Sequence, residues 1–195
     1  RLADEFAREN DYGEAMKCYK KALRLLQSSL GENHLDVAEC MIKIGSLYER
    51  IGYYRTAENY YKKSLFISEK VLSHDHDVTE TSLPRLAALY RKKHNNRKIE
   101  SLYKRTWSKR KRALGEAHDR VFEVSDLLEE EYRIQKKWDK VESLLKYSLK
   151  VREKAVSDVG SSYNDLAEFY GQMGEEKKAI KMRELAWKSG WGRGE

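Results

Sequence analysis

The sequence predicts an all-α protein, a right-handed α-solenoid of about five helix-turn-helix units and about ten antiparallel helices. Two observations carry this prediction. Apolar residues recur at spacings of three, four and seven, which places one apolar stripe along each helix, and the whole pattern repeats every 42 residues. A single proline in 195 residues agrees with a chain that is helical throughout.

The clearest unit lies between residues 44 and 72. Its first helix places Ile44 on the inner face, Gly52 breaks the run, and a second helix follows with Ala57, Tyr61 and Leu65 on its inner face. Glycine suits a tight turn between two helices because it lacks a Cβ atom. One such hairpin cannot bury its own apolar face, so several must stack on one another.

The other units follow from the same period. The first copy has Leu2, Phe6, Ala15, Tyr19 and Leu23 at these positions, and the third has Leu86, Tyr90, Ile99, Tyr103 and Trp107. A looser fourth copy follows, and a fifth arrives after only 38 residues. We expect one array with units at approximately 1–37, 38–78, 79–121, 122–160 and 161–189, and a frayed tail over 190–195.

Four local features of the units carry expectations of their own. Asp36 is expected to cap the helix that follows the first joint, and an Asn of the third turn, 94–96, to adopt the left-handed conformation. Pro84 either kinks its helix or lets it start afresh with Ser82 as the cap. Glu129 falls where two helices cross and a small residue is needed, which indicates a register shift or loose packing there.

The joints between units also repeat, and they point to a family. The segment Leu30–Val37 (LGENHLDV) is similar to Leu114–Val121 (LGEAHDRV). Small residues at helix crossings, aromatic residues one helix later and this joint resemble tetratricopeptide repeats, in particular the 42-residue subclass of kinesin light chains and nephrocystin-3-like proteins. The resemblance covers nearly the whole chain. It implies an adaptor that holds partner peptides in a groove lined by the first helix of each unit.

Composition indicates whether the chain crosses a membrane and in which redox compartment it lies. No apolar run approaches 18 residues, so we expect no membrane span. Cys18 and Cys40 show neither a CxxC spacing nor a disulfide framework, which favours a reducing compartment, cytoplasmic or nuclear. The chain starts at Arg1 within a helical pattern, which is typical of a fragment of a longer protein.

No motif for catalysis is present, so we expect no enzyme, no cofactor and no metal. The alternating segment His74–Asp77 could chelate a metal in principle. The histidine at 76, however, occupies the joint position of His34 and His118, which have no second histidine nearby. We therefore interpret it as part of the joint.

Charge is concentrated in one segment. Residues 85–115 hold twelve Lys or Arg and a single Glu, whereas the whole chain has a net charge of +7. The simplest interpretation is a solvated helix face that attracts the acidic helix after it. A functional interpretation assigns the cations of the first helices to the groove and those of the following helix to a second surface.

We expect an acidic protein or peptide partner in a groove formed by Lys43, Ser46, Arg50, Arg85, Ala88, Arg91 and Lys92. The second basic surface consists of Lys109, Arg110, Lys111 and Arg112. One alternative is nucleic-acid or anionic-surface binding through the basic third unit, although its aromatic residues Tyr90, Tyr103 and Trp107 fall on packing positions. Another is a structural spacer that oligomerises through its terminal repeats.

The mode of peptide binding differs from the one that the resemblance implies. Kinesin light chains usually carry an Asn-Asn-Leu-Ala stretch in their groove helices, which binds the peptide backbone. Here the corresponding stretches are 42–45 (IKIG) and 84–87 (PRLA), and only Asn164 is kept. The sequence therefore favours charge pairing with the peptide over clamping of its backbone.

Overall fold

A computed structural model describes residues 2–71, 78–155 and 159–190 of the chain. Within these ranges the chain forms ten α-helices and no strand, as the all-α prediction required. The helices are α1 (Leu2–Arg8), α2 (Tyr12–Leu30), α3 (Leu35–Arg50), α4 (Tyr54–Lys70), α5 (Val78–Lys92), α6 (Asn96–Leu114), α7 (Asp119–Ile134), α8 (Trp138–Lys154), α9 (Gly160–Gln172) and α10 (Glu176–Lys188).

The helices pack in consecutive order within two compact units, Arg1–Ile99 and Glu100–Glu195. Helices α1 and α2, α3 and α4, α7 and α8, and α9 and α10 form helix-turn-helix pairs. Helix α2 also packs on α3, α4 on α5, and α8 on α9. The second helix of these repeats thus contacts both its own first helix and the first helix of the next repeat.

The core lies along the repeated apolar positions. Ile44, Leu86, Leu128 and Leu166, which share one place in the repeat, are all at most 2% exposed. Gly45 shows how closely two helices approach in the second repeat, because a Cβ atom there would lie 2.7 Å from a ring carbon of the buried Tyr61. The small residue expected at the crossing is therefore required by contact with an aromatic ring.

The turns between paired helices repeat one backbone conformation. A residue with positive φ stands at the same place in every repeat: Asn10 (64°), Gly52 (85°), His94 (51°), Lys136 (55°) and Gly174 (75°). In the third turn the left-handed residue is His94, so the assignment of this conformation to an asparagine was wrong. Asn95 instead caps α6, since its side-chain oxygen accepts a hydrogen bond of 3.1 Å from the Lys98 amide.

The repeated histidine of the joints is a helix cap. His34 precedes α3, and its Nδ1 atom accepts a hydrogen bond of 3.1 Å from the Asp36 amide; His118 does the same for Arg120 at 3.2 Å. The prediction that Asp36 is the cap was therefore wrong, because Asp36 already lies in the first turn of α3. Capping explains why the joint repeats a histidine at this place.

Helices α5 and α7 are continuous where an interruption was expected, whereas a kink at Pro84 and loose packing at Glu129 stay predictions. Helix α5 runs from Val78 through Pro84, so Ser82 is a buried residue inside the helix and does not cap it. Helix α7 is continuous through Glu129, which rules out a register shift there. Glu129 is accommodated because its carboxylate binds the Arg133 guanidinium at 2.8 Å.

A carboxylate on the second helix of a repeat joins that repeat to the next one. Glu58 of α4 is 8% exposed and accepts a hydrogen bond of 3.1 Å from the hydroxyl of Tyr90, on α5. Lys62 lies 2.8 Å from the same oxygen, and Lys98, which also stacks over the Tyr90 ring at 5.2 Å, lies 3.5 Å from it. We call this arrangement the carboxylate lock.

The lock recurs with the period of the sequence. Glu100 binds Tyr132 at 3.2 Å, Lys104 at 2.8 Å and Lys140 at 2.9 Å. Glu142 binds Tyr170 and Lys146, each at 2.7 Å. The first joint differs, because Met16 replaces the glutamate and Tyr48 stacks instead on the Tyr60 ring at 5.7 Å.

The lock makes folding sensitive to acid. Burial alone would raise the pKa of Glu58, but hydrogen bonds from Lys62 and Tyr90 and the charge of Lys98 lower that pKa to about 2. The pKa values of Glu100 and Glu142 are lowered by the same kinds of partner. Because the pKa of a glutamate in the unfolded chain is higher, the lock stabilises the fold above about pH 4.5, and this stabilisation is lost as pH falls towards 2.

We predict that Glu58→Gln lowers the free energy of unfolding by about 2 kcal/mol at pH 7, since it removes the charge that binds Tyr90 and the lysines at 62, 98 and 93, the last of which lies 3.5 Å from the other carboxylate oxygen. Urea denaturation at pH 7 and at pH 3 measures the effect. The difference from the wild type should shrink at pH 3, because Glu58 is already protonated in the unfolded wild-type chain while the folded chain still holds it ionised.

Glu14→Gln is the matched control. Glu14 pairs with Lys17 at 2.6 Å on an exposed surface, and its loss should cost less than about 0.5 kcal/mol. Equal effects of the two substitutions at pH 7 would mean that the lock does not stabilise the first unit.

Candidate functional site

The first unit contains a cavity of about 460 Å³ formed mainly by the first helices of its repeats. Its walls are formed by residues of α1 and α3, by Arg85 of α5 and by Tyr19 of α2. The lining residues are Asp4, Glu5, Ala7, Arg8, Tyr19, Ile42, Lys43, Ser46, Leu47, Arg50 and Arg85. Four cations face two carboxylates, so the cavity is basic. We call it the basic groove.

The structure brings four of the seven predicted groove residues together in the basic groove. These are Lys43, Ser46, Arg50 and Arg85. Ala88, Arg91 and Lys92 lie further along α5 and do not line it.

The ammonium group of Lys43 makes only two long ion pairs within the described part of the chain. Its ammonium lies 3.7 Å from Asp4 and 3.6 Å from Glu39, and its side chain is 41% exposed. Both distances exceed those of a good charged hydrogen bond, so a ligand carboxylate could replace either partner at little cost. Lys43 is therefore a usable anion-binding group.

Asp4 is a fixed part of the groove wall that the sequence did not reveal. Its carboxylate accepts a hydrogen bond of 2.5 Å from the hydroxyl of the buried Tyr19. This bond is the main reason that the pKa of Asp4 is lowered. Asp4 thus stays ionised and limits how far the first repeat can attract an acidic ligand.

Two of the predicted groove cations connect successive first helices: Arg50, which also lines the groove, and Lys92, which does not. Arg50 donates a hydrogen bond of 3.1 Å to the carbonyl oxygen of Ala7 on α1. Lys92 donates one of 2.5 Å to Glu49 on α3, and the Tyr61 hydroxyl donates to the other oxygen of Glu49 at 2.9 Å. Because these contacts join residues 43 positions apart, both cations have a structural use that local sequence could not show.

The second basic surface is not a continuous exposed patch. Arg110 is 2% exposed and donates to the Arg120 carbonyl oxygen at 2.6 Å and to Glu123 at 3.0 Å. Lys111 lies over the Trp107 and Tyr147 rings and binds Glu116 at 2.9 Å. The prediction of a surface of four residues needs correction at Arg110, which is buried against its two partners at the start of α7.

The second unit has a cavity of the opposite charge, also about 460 Å³ in volume. It is formed by α7 and α9 with one residue of α8, and it is lined by Asp126, Glu129, Glu130, Arg133, Arg152, Asp165, Glu168 and Gln172. Both arginines have partners within the unit: Arg133 binds Glu129 and Gln172, each at 2.8 Å, and Arg152 binds Ser162 at 2.5 Å. An acidic ligand is therefore repelled from this cavity.

Three carboxyl groups of this cavity have raised pKa values. The walls of the cavity exclude part of the water around Asp126, although solvent still reaches its side chain. This loss of hydration raises the pKa of Asp126 to about 6. The charges of Glu129 and Asp165 raise this pKa further, whereas the charge of Arg152 lowers it. The same loss of water raises the pKa values of Glu129 and Asp165. The loss of hydration, to which the neighbouring like charges add, thus opposes folding of the second unit at neutral pH.

Two kinds of feature are absent from the part of the chain that the structure describes. Within residues 2–71, 78–155 and 159–190, no three His, Cys, Asp or Glu side chains are placed to hold a metal ion. The His74–Asp77 segment lies outside the described residues. None of the helices that the structure describes is both long and apolar enough to cross a membrane.

The residues of the carboxylate lock were missed as a set, although the sequence contains their signal. Tyr90 was recognised as a repeated aromatic position, but Glu58, Glu100 and Glu142 also recur every 42 residues. A lysine follows each glutamate four residues later. The period alone could therefore have identified the lock.

Comparison with known proteins gives three findings. Sequence profiles of the tetratricopeptide repeat match residues 1–70 and 79–119, which together exceed half of the chain. Among solved structures, BtubC (BKLC) from P. vanneervenii is similar, with 23% identity and a TM-score of 0.59 over 96% of this chain and 76% of that one. A Podosopora anserina structure of nearly identical TPR-like repeats, whose name refers to kinesin light chain, has 17% identity and a TM-score of 0.59 over 96% and 91%.

These structures confirm the fold class, including its likeness to kinesin-light-chain-like repeats. A search of curated proteins found no match.

We predict that Asp126→Asn raises the stability of the protein at pH 7.5 by about 1 kcal/mol or less, since it removes a carboxylate that folding has to desolvate. In the wild type this penalty grows as pH rises from about 4, the usual pKa of an aspartate, through 6. Chemical denaturation of both proteins at pH 4 and pH 7.5 measures the difference. A variant that is less stable than the wild type at pH 7.5 would contradict the assignment.

Proposed function

Because the chain belongs to the tetratricopeptide-repeat family, whose members are adaptors that bind other proteins, we propose that its first unit holds an acidic linear segment of a partner protein in the basic groove. The protein acts as a non-enzymatic scaffold in this proposal. The observation that carries it is the convergence of Lys43 and Arg85 on one cavity.

The two cations suit a ligand with spaced carboxylates. Lys43 comes from α3 and Arg85 from the next first helix, α5, so one extended segment that crosses the two helices can pair with both. Arg8 from α1 adds a third positive charge on the opposite wall. Charge-assisted hydrogen bonds of this kind give binding that weakens as salt concentration rises.

The floor of the groove favours one apolar side chain between the acidic ones. Ile42 and Leu47 line the cavity but are only 5% and 3% exposed, so they present a small apolar area at its base. A leucine-sized side chain of the ligand would cover this area and remove water from the ion pairs above it, which strengthens them. The proposed ligand is therefore an acidic segment with an apolar anchor.

The remaining observations argue against the other functions. The acidic cavity of the second unit confines an acidic ligand to the first unit. Nucleic-acid binding loses support because Arg110 is buried, as are Tyr90 and Tyr103, which leaves neither ring exposed for base stacking. Free thiols at Cys18 and Cys40 support a cytoplasmic or nuclear setting for the adaptor.

Fluorescence anisotropy with a short labelled peptide of Asp and Glu around one leucine tests this function. We predict that Lys43→Glu with Arg85→Glu lowers the affinity of the peptide by at least about tenfold, or about 1.4 kcal/mol, because two ion pairs become repulsive contacts. Affinity of the wild type should also fall with added salt.

Lys17→Glu with Lys21→Glu is the matched control, because it changes the charge of the first unit equally on the exposed side of α2. A peptide that does not bind the wild type, or that loses equal affinity to both double variants, would refute binding in the groove. Lys109→Glu with Arg112→Glu should leave the affinity unchanged.

A further inference from the structure

The charge of the basic groove matches that of a phosphate group. Four cations line the cavity against two carboxylates, Asp4 and Glu5, which leaves a net charge of +2. A phosphorylated serine or threonine carries a charge of about −1.5 to −2 at pH 7, whereas a carboxylate carries a single negative charge. One phosphate group can therefore neutralise the lining, and one carboxylate cannot.

Three of the lining cations have room for an anionic partner. Among the residues that the structure describes, no ion pair joins Arg8 or Arg85 to an Asp or Glu, and Arg85 lies beside the hydroxyl of Tyr61. Lys43 has only its long pairs of 3.7 Å and 3.6 Å. The three side chains come from α1, α3 and α5, so a small anion in the cavity is reached from three helices.

A neutral donor completes the set. Ser46 lies three residues after Lys43 on α3, which places both side chains on one face of the helix. Its hydroxyl makes no hydrogen bond within the described chain, although Ser46 lines the cavity. A phosphate group offers three acceptor oxygens, whereas a carboxylate offers two. Two guanidinium groups, an ammonium and a hydroxyl are therefore more donors than one carboxylate uses, and guanidinium groups suit phosphate in particular.

Asp4 makes the groove favour the stronger anion. The Tyr19 hydroxyl holds the Asp4 carboxylate in place, 3.7 Å from the Lys43 ammonium. A ligand carboxylate that replaces Asp4 brings Lys43 the same charge, so the exchange gains little. A phosphate group brings nearly twice that charge and reaches both arginines at the same time, which offsets its repulsion by Asp4.

From this donor set we propose that the partner segment in the basic groove is phosphorylated, with the phosphate group bound by Arg8, Lys43 and Arg85 and by the Ser46 hydroxyl. The inference rests on the proposed function, because it names the chemical state of the segment that the groove holds. Phosphorylation of the partner then strengthens its contact with the adaptor, and dephosphorylation releases it.

Fluorescence anisotropy with three peptides tests the inference. The first is a labelled acidic peptide with one serine beside its leucine, the second carries phosphoserine at that place, and the third carries glutamate. We expect the phosphopeptide to bind the wild type at least about tenfold more tightly than the serine peptide at pH 7.5, because new charge-assisted hydrogen bonds form. The glutamate peptide should gain less, since it has one acceptor oxygen and nearly one charge fewer.

The pH dependence identifies the phosphate group as the cause. The second pKa of a phosphoserine is about 6, so most of the group carries one charge fewer at pH 5.5, and the gain over the serine peptide should shrink to about threefold or less. Ordinary carboxylates stay ionised at this pH, and the hydrogen bond from Tyr19 lowers the pKa of Asp4. A gain that is unchanged at pH 5.5 would contradict the inference.

Two single variants and a control locate the phosphate group. Arg85→Gln and Arg8→Gln should each lower the ratio of the phosphopeptide affinity to the serine-peptide affinity by at least about threefold, since each removes a charged donor. Arg55→Gln is the matched control, because Arg55 is exposed on α4 and does not line the cavity. Its ratio should equal that of the wild type. Circular dichroism verifies that all three variants keep their fold.

The outcomes separate this inference from the proposed function. Equal binding of the serine peptide and the phosphopeptide would overturn the inference and leave the groove function standing, whereas failure of both to bind would refute the groove function itself. A ratio that Arg55→Gln lowers as much as Arg85→Gln would place the phosphate group elsewhere. Retention on phosphoinositide vesicles that the phosphopeptide cannot displace would assign the site to a lipid headgroup and overturn the inference.

Discussion

A carboxylate shared between consecutive repeats, buried at Glu58 and half-buried at Glu100 and Glu142, is the interaction on which the rest of the structure depends. Glu58, Glu100 and Glu142 each accept a hydrogen bond from a tyrosine of the following repeat, while lysines on both sides supply the opposite charge. Such a carboxylate is costly to bury unless all its partners are in place. The arrangement therefore fixes the register between neighbouring repeats, and with it which side chains of successive first helices face a common groove.

The groove uses only one edge of the first helices. Helix α3 packs on α2 and on α4, so only its outer edge faces solvent, and the cations Lys43 of α3 and Arg85 of α5 line the cavity along this edge. A linear segment of a partner protein suits such a narrow edge.

Periodicity explains why so much was predictable from the sequence. It located the helix pairs, the crossing at Gly45 and the cations Lys43 and Arg85, because each is a property of position within the repeat. It failed where a contact depends on tertiary distance. Charge alone indicated an exposed Arg110, yet a carbonyl oxygen and a glutamate across the joint bury it. The cap at His34 was missed because aspartate is the commoner capping residue.

The most direct test of acidic-segment binding is an amide chemical-shift map of the isotope-labelled protein during titration with the acidic peptide. We predict that the shifts concentrate on α1, on α3 around Lys43 and Ser46, and on α5 around Arg85, with little change in α7 and α9. Shifts that concentrate instead around Lys109 and Arg112, or on the outer surfaces of α2 and α4, would show that the groove is not the binding site.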